Sequence, residues 1–523
     1  MAAGIGLFGG YASASGEVRL ARVFSDHLVL QRDAAARVWG TAAAGEAVTV
    51  TFGDARATAT ADGAGNWEVR LPPMPASAEP RALTATGASG GRAAAARDVL
   101  VGDVWLCSGQ SNMAFSLGSC DADADVRSAD LPAVRFLSYW EQFAAEPAAD
   151  LPAGVAWRPL SPGTAAGCSA VGFYFARRVH REVGVPIGLL TCTVGGTEIE
   201  CWLPPEAVDG RYPDCAAAGR RLREAVDRYR KSLPAALDAT ERWIPAARRA
   251  LADGTPVPPM PRLPQHPNVD RAEWVRTTSL FNGMVHPLTR FAVKGVLWYQ
   301  GENNGGEQDE YVGKQRALVE TWRARWGQDF PFYYVQLPNY QPATDDPAGG
   351  PRGWGYCRMA QLKALSVPKT GMAVTIDVGD ARDIHPKNKQ DVGERLALWA
   401  LAKDYGKRDL VFSGPLLAGV KVEGDRVRVS FDHVGGGLMV GRKQGRGPVV
   451  EEKDGRLRRF AVAGADKVWH WADAAIDGPG VVVSSPAVPK PVAVRYAFAS
   501  NPEGCNLYNR DGLPASPFRT DDW

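Results

Sequence analysis

Ser111 is the first residue whose surroundings suggest chemistry. It stands in DVWLCSGQSNMAF (103–115), where an apolar run ends in Gly-Gln-Ser-Asn and apolar residues then resume. A serine in a strand-to-helix turn can act as a nucleophile, because the helix start offers free N–H groups and a positive dipole end to a developing oxyanion. The alternative is that Ser111 only caps an ordinary helix, a position that serine favours. The motif alone leaves both interpretations open.

His385 is the best-placed candidate for a general base. The chain has seven histidines, and His385 differs from the others because it follows the apolar run GMAVTIDVG (371–379) in the loop DARDIHPKNK. Open α/β sheets place their sites in loops at the carboxyl ends of strands. Asp380 and Asp383 stand beside it, and a carboxylate can hold the imidazole tautomer and stabilise the imidazolium formed in turnover.

Two further loops could supply donors for an oxyanion. Gly195-Gly196-Thr197 follows a second apolar run and can offer an unhindered backbone N–H, and Gln300-Gly301-Glu302-Asn303 follows a third and can offer the Asn303 amide. Taken singly, each motif is more often an ordinary turn, and Glu198 and Glu302 would by default be exposed or bind nearby backbone N–H groups. All four motifs occur in order, each after an apolar run, and this joint pattern favours a catalytic site.

Five apolar runs must position these loops. They lie at 99–109, 183–196, 290–301, 330–340 and 371–379. Continuous apolar strands are typical of a parallel sheet that is buried on both faces. Between them, VGFYFARRVHREVG (171–184) and EYVGKQRALVETWRARWG (310–327) have helical spacing. The pattern predicts an α/β fold.

The flanking sequence predicts further regions. Residues 1–16 are a leader or flexible start, and 17–99 form an N-terminal β-sandwich with a hairpin signal around Asp62-Gly63-Ala64-Gly65. The α/β core spans 100–409 and contains a helical and Pro-rich insertion at 205–280. Residues 410–500 form a β-rich accessory domain that begins with a hairpin around Glu-Gly-Asp, and 501–523 form a loop-like tail packing on the core.

Composition excludes several classes of protein. Sixty basic residues against 58 acidic ones argue against a nucleic-acid or membrane-surface binder. No apolar run approaches the roughly 18 residues of a membrane span. The eight cysteines contain no CxxC pair, so we expect no structural zinc site. The start MAAGIGLFGGYASASG ends in an Ala-Ser-Ala that is similar to a signal-peptidase site, but it lacks a positive region.

The motifs together resemble the sialate O-acetylesterase family, which belongs to the SGNH (GDSL-type) hydrolase superfamily. They are GQSNM (109–113), GGTEIECW (195–202), WYQGEN (298–303) and DIHP (383–386). VFSDHLVLQRD, VGERLALWAL and the tail NLYNRDGLPASPFRTDDW are also similar to family sequence. The resemblance implies a three-layer α/β/α hydrolase core with accessory β-domains, and serine esterase chemistry without a metal or other cofactor.

The resemblance also implies roles for individual residues. Ser111 would be the nucleophile and His385 the base, with the N–H groups of Ser111 and Gly196 and the Asn303 amide forming the oxyanion hole. The position three residues before the histidine, where many SGNH enzymes carry the acid, is Arg382 here. Asp383 is therefore the first choice for the acid and Asp380 the second, and a Ser-His dyad helped by a backbone carbonyl is the alternative. The expected supporting residues are Gln110, Asn112, Glu198, Glu200, Trp202, Gln300 and Glu302.

The predicted activity is removal of O-acetyl groups from carbohydrates, most closely from acetylated sialic acids or glycans. The alternatives are an acetyl xylan or pectin-type esterase, a lipase or thioesterase, and a carbohydrate-binding protein with an inactive core. Trp202 and the tail around Tyr508 and Phe518 are predicted to line a cleft, since aromatic rings stack on sugars. Export to the periplasm or medium is expected from the substrate class and the leader, with a cytoplasmic location as the alternative. The oligomeric state cannot be read from the sequence.

Overall fold

The computed structural model of the chain describes residues 17–265 and 277–523. The predicted leader and His266 of the Pro-rich tether lie outside the described residues. The strands are β1 Arg19–Leu20, β2 Val29–Gln31, β3 Ala36–Thr41, β4 Ala47–Phe52, β5 Ala55–Thr60, β6 Asn66–Leu71, β7 Ser77–Gly87, β8 Ala94–Gly109, β9 Leu131–Tyr139, β10 Arg158–Leu160, β11 Ile187–Thr193, β12 Gly295–Tyr299, β13 Phe332–Val335, β14 Thr370–Ala373, β15 Leu416–Glu423, β16 Arg426–Asp432, β17 Leu438–Arg442, β18 Val450–Glu451, β19 Phe460–Ala463, β20 Trp469–Trp471, β21 Asp473–Asp477, β22 Gly480–Ser484, β23 Ala493–Tyr496, β24 Leu507–Asn509 and β25 Phe518–Arg519. The α-helices of the described residues are α1 Ser111–Ala114, α2 Asp123–Arg127, α3 Ala170–Val183, α4 Pro205–Val208, α5 Pro213–Ala252, α6 Asp309–Trp326, α7 Trp354–Lys363 and α8 Lys389–Asp404.

A parallel sheet forms the centre of the molecule. Its strand order is β10-β9-β11-β8-β12-β13-β14, and neighbours from β9 to β14 run parallel while β10 pairs antiparallel at the edge. Every residue of β11, β12 and β13 is buried, which explains the continuous apolar runs. The α/β prediction is confirmed. Because parallel strands point the same way, the loops that carry the candidate residues leave one edge of the sheet.

Strand β9 was not predicted from the sequence. Its residues, LPAVRFLSY, include Arg135, which breaks the apolar run but is buried. The Arg135 guanidinium donates to the backbone oxygen of Asp98 at 2.8 Å and to its carboxylate at 3.1 Å. A buried charge is tolerated when it is paired and hydrogen-bonded. The partner lies 37 residues away in sequence, so no local pattern reveals the strand.

Strand β8 is a single 16-residue strand that crosses the predicted boundary between residues 99 and 100. Its first part pairs with β2 and β7, and its second part, Asp103–Gly109, pairs with β11 and β12. The strands β2, β4, β5 and β7 therefore belong to the same eleven-stranded sheet as the α/β strands. One cluster of buried hydrophobic residues spans both regions.

The predicted hairpin around Asp62 is wrong, although a turn is present there. Strand β5 pairs with β4, whereas β6 pairs with β3 in a separate three-stranded sheet. The Asp62 carboxylate accepts the N–H groups of Ala64 and Asn66, each at 2.9 Å. The turn chemistry is as expected, but the chain crosses from one sheet to another instead of returning along β5.

The C-terminal region is β-rich, as predicted. Strands β15 and β16 pair antiparallel on either side of Gly424 and Asp425, which confirms the expected hairpin. The tail predicted to be loop-like contains β24 and β25, which pair with β17 and β23. Strands of two or three residues carry too little pattern to be recognised. The tail reaches the parallel sheet, because the Gln336 amide donates to Ser516 Oγ at 2.9 Å.

The insertion is dominated by α5, whose 40 residues extend about 60 Å. Only the part from Cys215 to Val226 has buried residues, and the rest of the helix is largely exposed. Arg230 donates to both oxygens of Glu146, at 3.0 and 2.7 Å. The expected helical character of this region is confirmed. In the part of the chain that the structure describes, no helix combines the length and apolar character needed to cross a membrane.

Helix α8 follows the His385 loop directly and is fixed from two sides. Asn388 caps it, since its side-chain oxygen accepts the N–H of Asp391 at 3.2 Å. At Gly393 the helix packs closely on α3, because a Cβ there would lie 2.6 Å from the carbonyl oxygen of Val171. This close packing ties the loop that carries His385 to the body of the sheet.

Candidate active site

Ser111 lies at the junction of β8 and the single-turn helix α1. Gly109 has φ +126°, and a Cβ there would lie 2.2 Å from the carbonyl oxygen of Tyr299 on β12, so the turn requires glycine. Gln110 occupies the cap position of α1, and Ser111 is the first helical residue. The interpretation of Ser111 as a helix cap is therefore wrong, and its hydroxyl has a different partner.

The partner of that hydroxyl is His385, 274 residues later in the chain. His385 Nε2 lies 2.8 Å from Ser111 Oγ, which is ordinary hydrogen-bond distance. Ser111 and His385 are both half-buried, so the pair is open to solvent on one side. This arrangement allows the imidazole to take the hydroxyl proton as an attack begins.

The two candidate acids differ in their relation to His385. Asp383 Oδ1 accepts the backbone N–H of His385 at 2.8 Å and lies 3.7 Å from His385 Nδ1. Asp380 accepts the backbone N–H of Arg382 at 2.8 Å and so stabilises its own turn. The 3.7 Å separation is too long for a hydrogen bond, and Asp383 thus acts on the imidazole as a nearby charge.

The surroundings of His385 favour the neutral imidazole. Burial lowers the pKa of His385, and the positive charges of Lys389 and Lys387 lower it further, while Asp383 opposes them. The ring of Phe115 stacks on the imidazole with centroids 5.7 Å apart and planes 11° apart. A base held neutral near pH 7 is available for proton transfer.

Asn112 connects the serine turn to two other segments of the site. Its Nδ2 donates to Glu302 Oε1 at 2.6 Å and to the backbone oxygen of Ile384 at 3.0 Å. The Gln110 amide, with its nitrogen facing Glu302, donates to Oε2 at 3.1 Å. Glu302 is buried, and burial raises its pKa while the Asn112 hydrogen bond opposes the shift.

Lys389 completes this buried group and was not predicted from the sequence. It is the first residue of α8, it has no exposed surface, and its ammonium donates to Asn112 Oδ1. Burial lowers its pKa to about 8. The spacing His385–Lys389 was visible in the sequence, but an exposed lysine in the first turn of a helix would look the same.

The loop after β11 lies against the serine. A Cβ at Gly195 would lie 3.1 Å from Ser111 Cβ, so this loop tolerates little more than glycine beside the nucleophile candidate. Gly196 has φ +69° and is exposed. Thr197 fixes the loop from behind, because its hydroxyl donates to the Val194 oxygen at 2.9 Å and its carbonyl accepts from Gln300 at 3.1 Å.

The loop after β12 contains two asparagines with different surroundings. Asn303 is exposed, and no hydrogen bond joins its side chain to the other described residues of the site. Asn304 is buried, and its Oδ1 accepts from Gln300 at 2.8 Å and from the Ile199 N–H at 3.0 Å. Its Nδ2 donates to Glu200 at 3.2 Å. Glu200 therefore supports this loop and not the serine turn. The sequence did not reveal Asn304, because the motif pointed to its neighbour Asn303 as the amide donor.

The aromatic residues expected to line a cleft are buried. Trp202 has no exposed surface, and its indole N–H donates to Thr197 Oγ1 at 3.2 Å. Tyr508 and Phe518 are likewise buried. The prediction that Trp202 and Phe518 stack on sugar is wrong, because Trp202 is part of the core behind the site loops and Phe518 is part of the C-terminal core. Tyr508 lines a cavity of about 420 Å³ with Asn339 and Asp377, and this cavity does not include Ser111 or His385. Glu198 is half-buried and directly precedes the short turn Ile199–Trp202.

A loop of the C-terminal region, Lys443–Gly447, braces the start of α8. Lys443 pairs with Asp391 at 2.5 Å, and Asn388 donates to the Gly445 oxygen at 3.1 Å. Arg446 reaches Asp125 at 3.4 Å, beyond the serine turn. These contacts link the C-terminal region to segments that follow both Ser111 and His385. Across residues 17–265 and 277–523, no three His, Cys, Asp or Glu side chains are grouped so as to hold a metal ion.

Comparison with known proteins assigns the chain to a family. The model of the family "Carbohydrate esterase, sialic acid-specific acetylesterase" matches residues 101–239 and 269–402, which carry Ser111 and His385. Sialate O-acetylesterase of Rattus norvegicus is 30% identical over 96% of this chain and 94% of its own, and that of Homo sapiens is 29% identical over 96% and 92%. A crystal structure of a carbohydrate acetylesterase from Xanthomonas citri is 36% identical, with a TM-score of 0.77 over 97% of this chain and 100% of its own. The chain belongs to the sialic acid-specific acetylesterase family of carbohydrate esterases and is a carboxylic ester hydrolase.

Proposed function

We propose that this carbohydrate esterase is a serine O-acetylesterase in which Ser111 is the nucleophile, His385 the general base and Asp383 the acid that acts on the imidazole. The observation that carries the proposal is the 2.8 Å contact between His385 Nε2 and Ser111 Oγ. The surroundings that keep His385 neutral support it, because only the neutral imidazole can accept the hydroxyl proton.

The proposed reaction has two acyl-transfer steps. His385 takes the Ser111 proton as Oγ attacks the acetyl carbonyl, and the imidazolium then protonates the departing sugar oxygen, leaving an acetyl-serine. Water, deprotonated by the same imidazole, attacks the acetyl-serine, and the proton returns to Ser111 Oγ as acetate leaves. Asp383, 3.7 Å from Nδ1, stabilises the imidazolium of both steps as a charge.

Donors for the oxyanion are proposed at three places. The Ser111 N–H lies in the first turn of α1, where N–H groups have no partner within the helix. The second donor is the backbone N–H of Gly196. The preceding residue, Gly195, packs against Ser111, so this loop lies beside the serine. The third donor is the Asn303 amide, which lies exposed and uncommitted in a loop held by its neighbour Asn304.

The proposed substrates are acetylated sialic acids or other acetylated glycans. The named relatives are sialate O-acetylesterases and a carbohydrate acetylesterase, which supports an acetyl group on a sugar. Phe115 stacks on His385, and a Cβ at Gly195 would lie 3.1 Å from Ser111 Cβ, so both reacting side chains have close neighbours; this supports a short acyl group over the long chain of a lipase substrate. Acetyl xylan and pectin-type glycans are the alternative within the same chemistry.

The proposed architecture is an SGNH-type α/β/α core with an N-terminal β-sandwich, a C-terminal β-rich domain at about 410–500 and a tail at 501–523. The predicted limit between residues 99 and 100 is not part of this proposal, because β8 runs through it. The parallel order of the central strands supports the core, and the antiparallel sheets of the C-terminal region support its β-rich domain. Export from the cytoplasm is proposed on the substrate class, and the free acetylated glycan is the only partner that the proposal requires.

The test is acetate release from a panel of acetylated glycans, with acetylated sialic acid, xylan and pectin as members. Ser111→Ala should lose several orders of magnitude in rate on an aryl acetate and on the best glycan while the unfolding temperature is unchanged. Labelling of the wild-type serine by a fluorophosphonate provides an independent readout. Near-wild-type hydrolysis by Ser111→Ala would show that another residue is the nucleophile.

A further inference from the structure

Lys389 is a buried cation with an unusual partner. Its side chain has no exposed surface, yet its ammonium donates to the neutral amide oxygen of Asn112. Within the described residues, it forms no ion pair with a carboxylate at 4.0 Å or less, although most other buried cations of the chain do, as Arg395 does with Asp377 at 2.6 Å. A buried charge is costly unless it is compensated. The hydrogen bond to Asn112 is therefore a main source of compensation for this charge.

The amide of Asn112 relays the charge to a carboxylate. Asn112 Oδ1 accepts from Lys389, and Asn112 Nδ2 donates to Glu302 Oε1 at 2.6 Å. A cation on the oxygen and an anion on the nitrogen polarise the amide in the same sense, so each hydrogen bond strengthens the other. The same Nδ2 donates to the Ile384 oxygen at 3.0 Å, one residue before His385. The relay thus fixes the residue after the serine against the residue before the histidine.

Aromatic rings provide a second route from Lys389 to the imidazole. The ammonium lies 5.1 Å from the centroid of Phe115 and 5.5 Å from that of Tyr299, within the range of cation–π attraction. Phe115 also stacks on the imidazole of His385. The lysine therefore contacts the serine turn, the end of β12 and, through Phe115, the ring of the base.

We propose that Lys389 is the positioning residue of this esterase: it holds Asn112 between Glu302 and Ile384 and supports Phe115, so that Ser111 Oγ and His385 Nε2 stay at reacting distance. The inference rests on the proposed roles of Ser111 and His385. The lysine touches neither the reacting hydroxyl nor the imidazole, and its effect passes through Asn112 and Phe115.

The charge of Lys389 gives the inference a readout in pH. The groups that influence its ammonium are Cys120, Glu302 and Asp383, which favour the charged form, and Lys387, which opposes it. Burial dominates and lowers the Lys389 pKa to about 8. Above that pH the Lys389 ammonium loses its proton and its charge. We therefore expect kcat to fall as the pH rises through about 8. Removing the lysine should also raise the pKa of His385, since Lys389 lowers that pKa. The fall in activity at acid pH, which follows protonation of His385, should then begin at a higher pH.

The experiment compares Lys389→Met with Lys387→Met on an aryl acetate across pH. Lys387 is a matched control, because its ammonium lies 5.0 Å from the same Phe115 ring but is exposed and donates to the Ser119 oxygen. For Lys389→Met we expect kcat to fall about 10- to 100-fold with KM within about twofold, since a small displacement of reacting groups has this effect. The alkaline limb near pH 8 should disappear. Lys387→Met should stay within about threefold of wild type and keep that limb.

The outcomes separate this inference from the proposed function. If Ser111→Ala abolishes activity but Lys389→Met keeps the wild-type kcat and pH profile, the lysine has no positioning role and the inference is overturned alone. If Ser111→Ala stays active, the proposed function and the positioning role of Lys389 are both overturned. Should Lys389→Met fail to fold, Lys389→Gln, which removes the charge but keeps a donor for Asn112, is measured in its place: a fall in kcat with KM within about twofold supports the inference, and wild-type kcat with the wild-type pH profile overturns it.

Discussion

Asn112 donates a hydrogen bond to the backbone oxygen of Ile384 at 3.0 Å, so the residue after the serine is bound to the residue before the histidine. Ser111 and His385 come from loops 274 residues apart, and their 2.8 Å contact is the only direct link between their side chains. The Asn112 bond holds the two backbones together independently of that contact. The reacting geometry is therefore set before any substrate arrives.

Replacing Asn112 tests this connection. Asn112→Leu removes the bonds to Ile384, Glu302 and Lys389 at once, and we expect kcat to fall about 100-fold while the aryl acetate KM changes little. Steady-state kinetics measure the effect, and Asn66→Ala, at an exposed turn of the N-terminal region, is the control. An equal loss in both variants, or a change confined to KM, would contradict the positioning role.

The pH dependence of kcat/KM reports the His385 environment. Because the pKa of His385 lies below its ordinary 6.5, activity should stay constant from pH 7 down to that value and then fall as the imidazole is protonated. Asp383 raises this pKa, so Asp383→Asn should move the acid limb to lower pH.

The same two aspartates show which carboxylate matters. We expect Asp383→Asn to lose about tenfold in kcat, about 1.4 kcal/mol, because an exposed charge at 3.7 Å stabilises the imidazolium less than a buried hydrogen-bonded acid would. Asp380→Asn should leave both rate and limb unchanged, since it bonds only its own turn. A larger loss for Asp380→Asn would reverse the assignment.

Asn303 and Asn304 should give opposite results. Asn303→Ala is expected to lower kcat about 100-fold at unchanged stability if its amide donates to the oxyanion. Asn304→Ala leaves buried groups of Gln300 and Ile199 without a partner, so we expect a loss of about 1–3 kcal/mol in unfolding free energy. Kinetics and urea unfolding on both variants measure this, and wild-type kcat in Asn303→Ala would leave the oxyanion hole with two donors.

The ion pair of Lys443 and Asp391 connects the C-terminal region to the helix after His385. Both side chains are largely buried, so Lys443→Met leaves an uncompensated carboxylate and should cost about 3 kcal/mol of stability. Thermal unfolding measures the loss, and Asp391→Asn in the same background should restore part of it. Lys421→Met, at an exposed lysine of β15, is the control and should change stability by less than about 0.5 kcal/mol.

The sequence was most informative where the chain forms buried parallel strands. Such strands are continuous apolar runs, and the loops after them lie at one sheet edge, so Ser111, Gly195 and His385 could be placed together before the structure was known. Polar residues inside the site were less readable. Asn304 and Lys389 look like ordinary exposed residues in the sequence. The partner of Asn304 is Glu200, and Lys389 is held by Asn112, which binds Glu302; in each case the partner is remote in the chain from the residue that it buries.

Aromatic residues misled for a related reason. Trp202 sits in a conspicuous motif beside the glycine loop, and a tryptophan near a sugar site suggests stacking. Trp202 is instead a buried core residue, and its ring packs edge-on against Trp298 with 5.8 Å between the ring centroids. The side on which an indole lies depends on tertiary packing, and a single sequence does not contain that information.

The continuous strand β8 restricts how this protein can evolve and be engineered. The first part of the strand pairs with β2 and β7, and the strand ends two residues before Ser111, so a gene fragment starting near residue 100 would encode only part of it. In that fragment the backbone of Leu100, Val101 and Gly102 would lack its partners on β2 and β7 and would be exposed. The N-terminal region is therefore not a removable module, and swapping it between relatives would require matching the register of a strand that leads directly to the reacting serine.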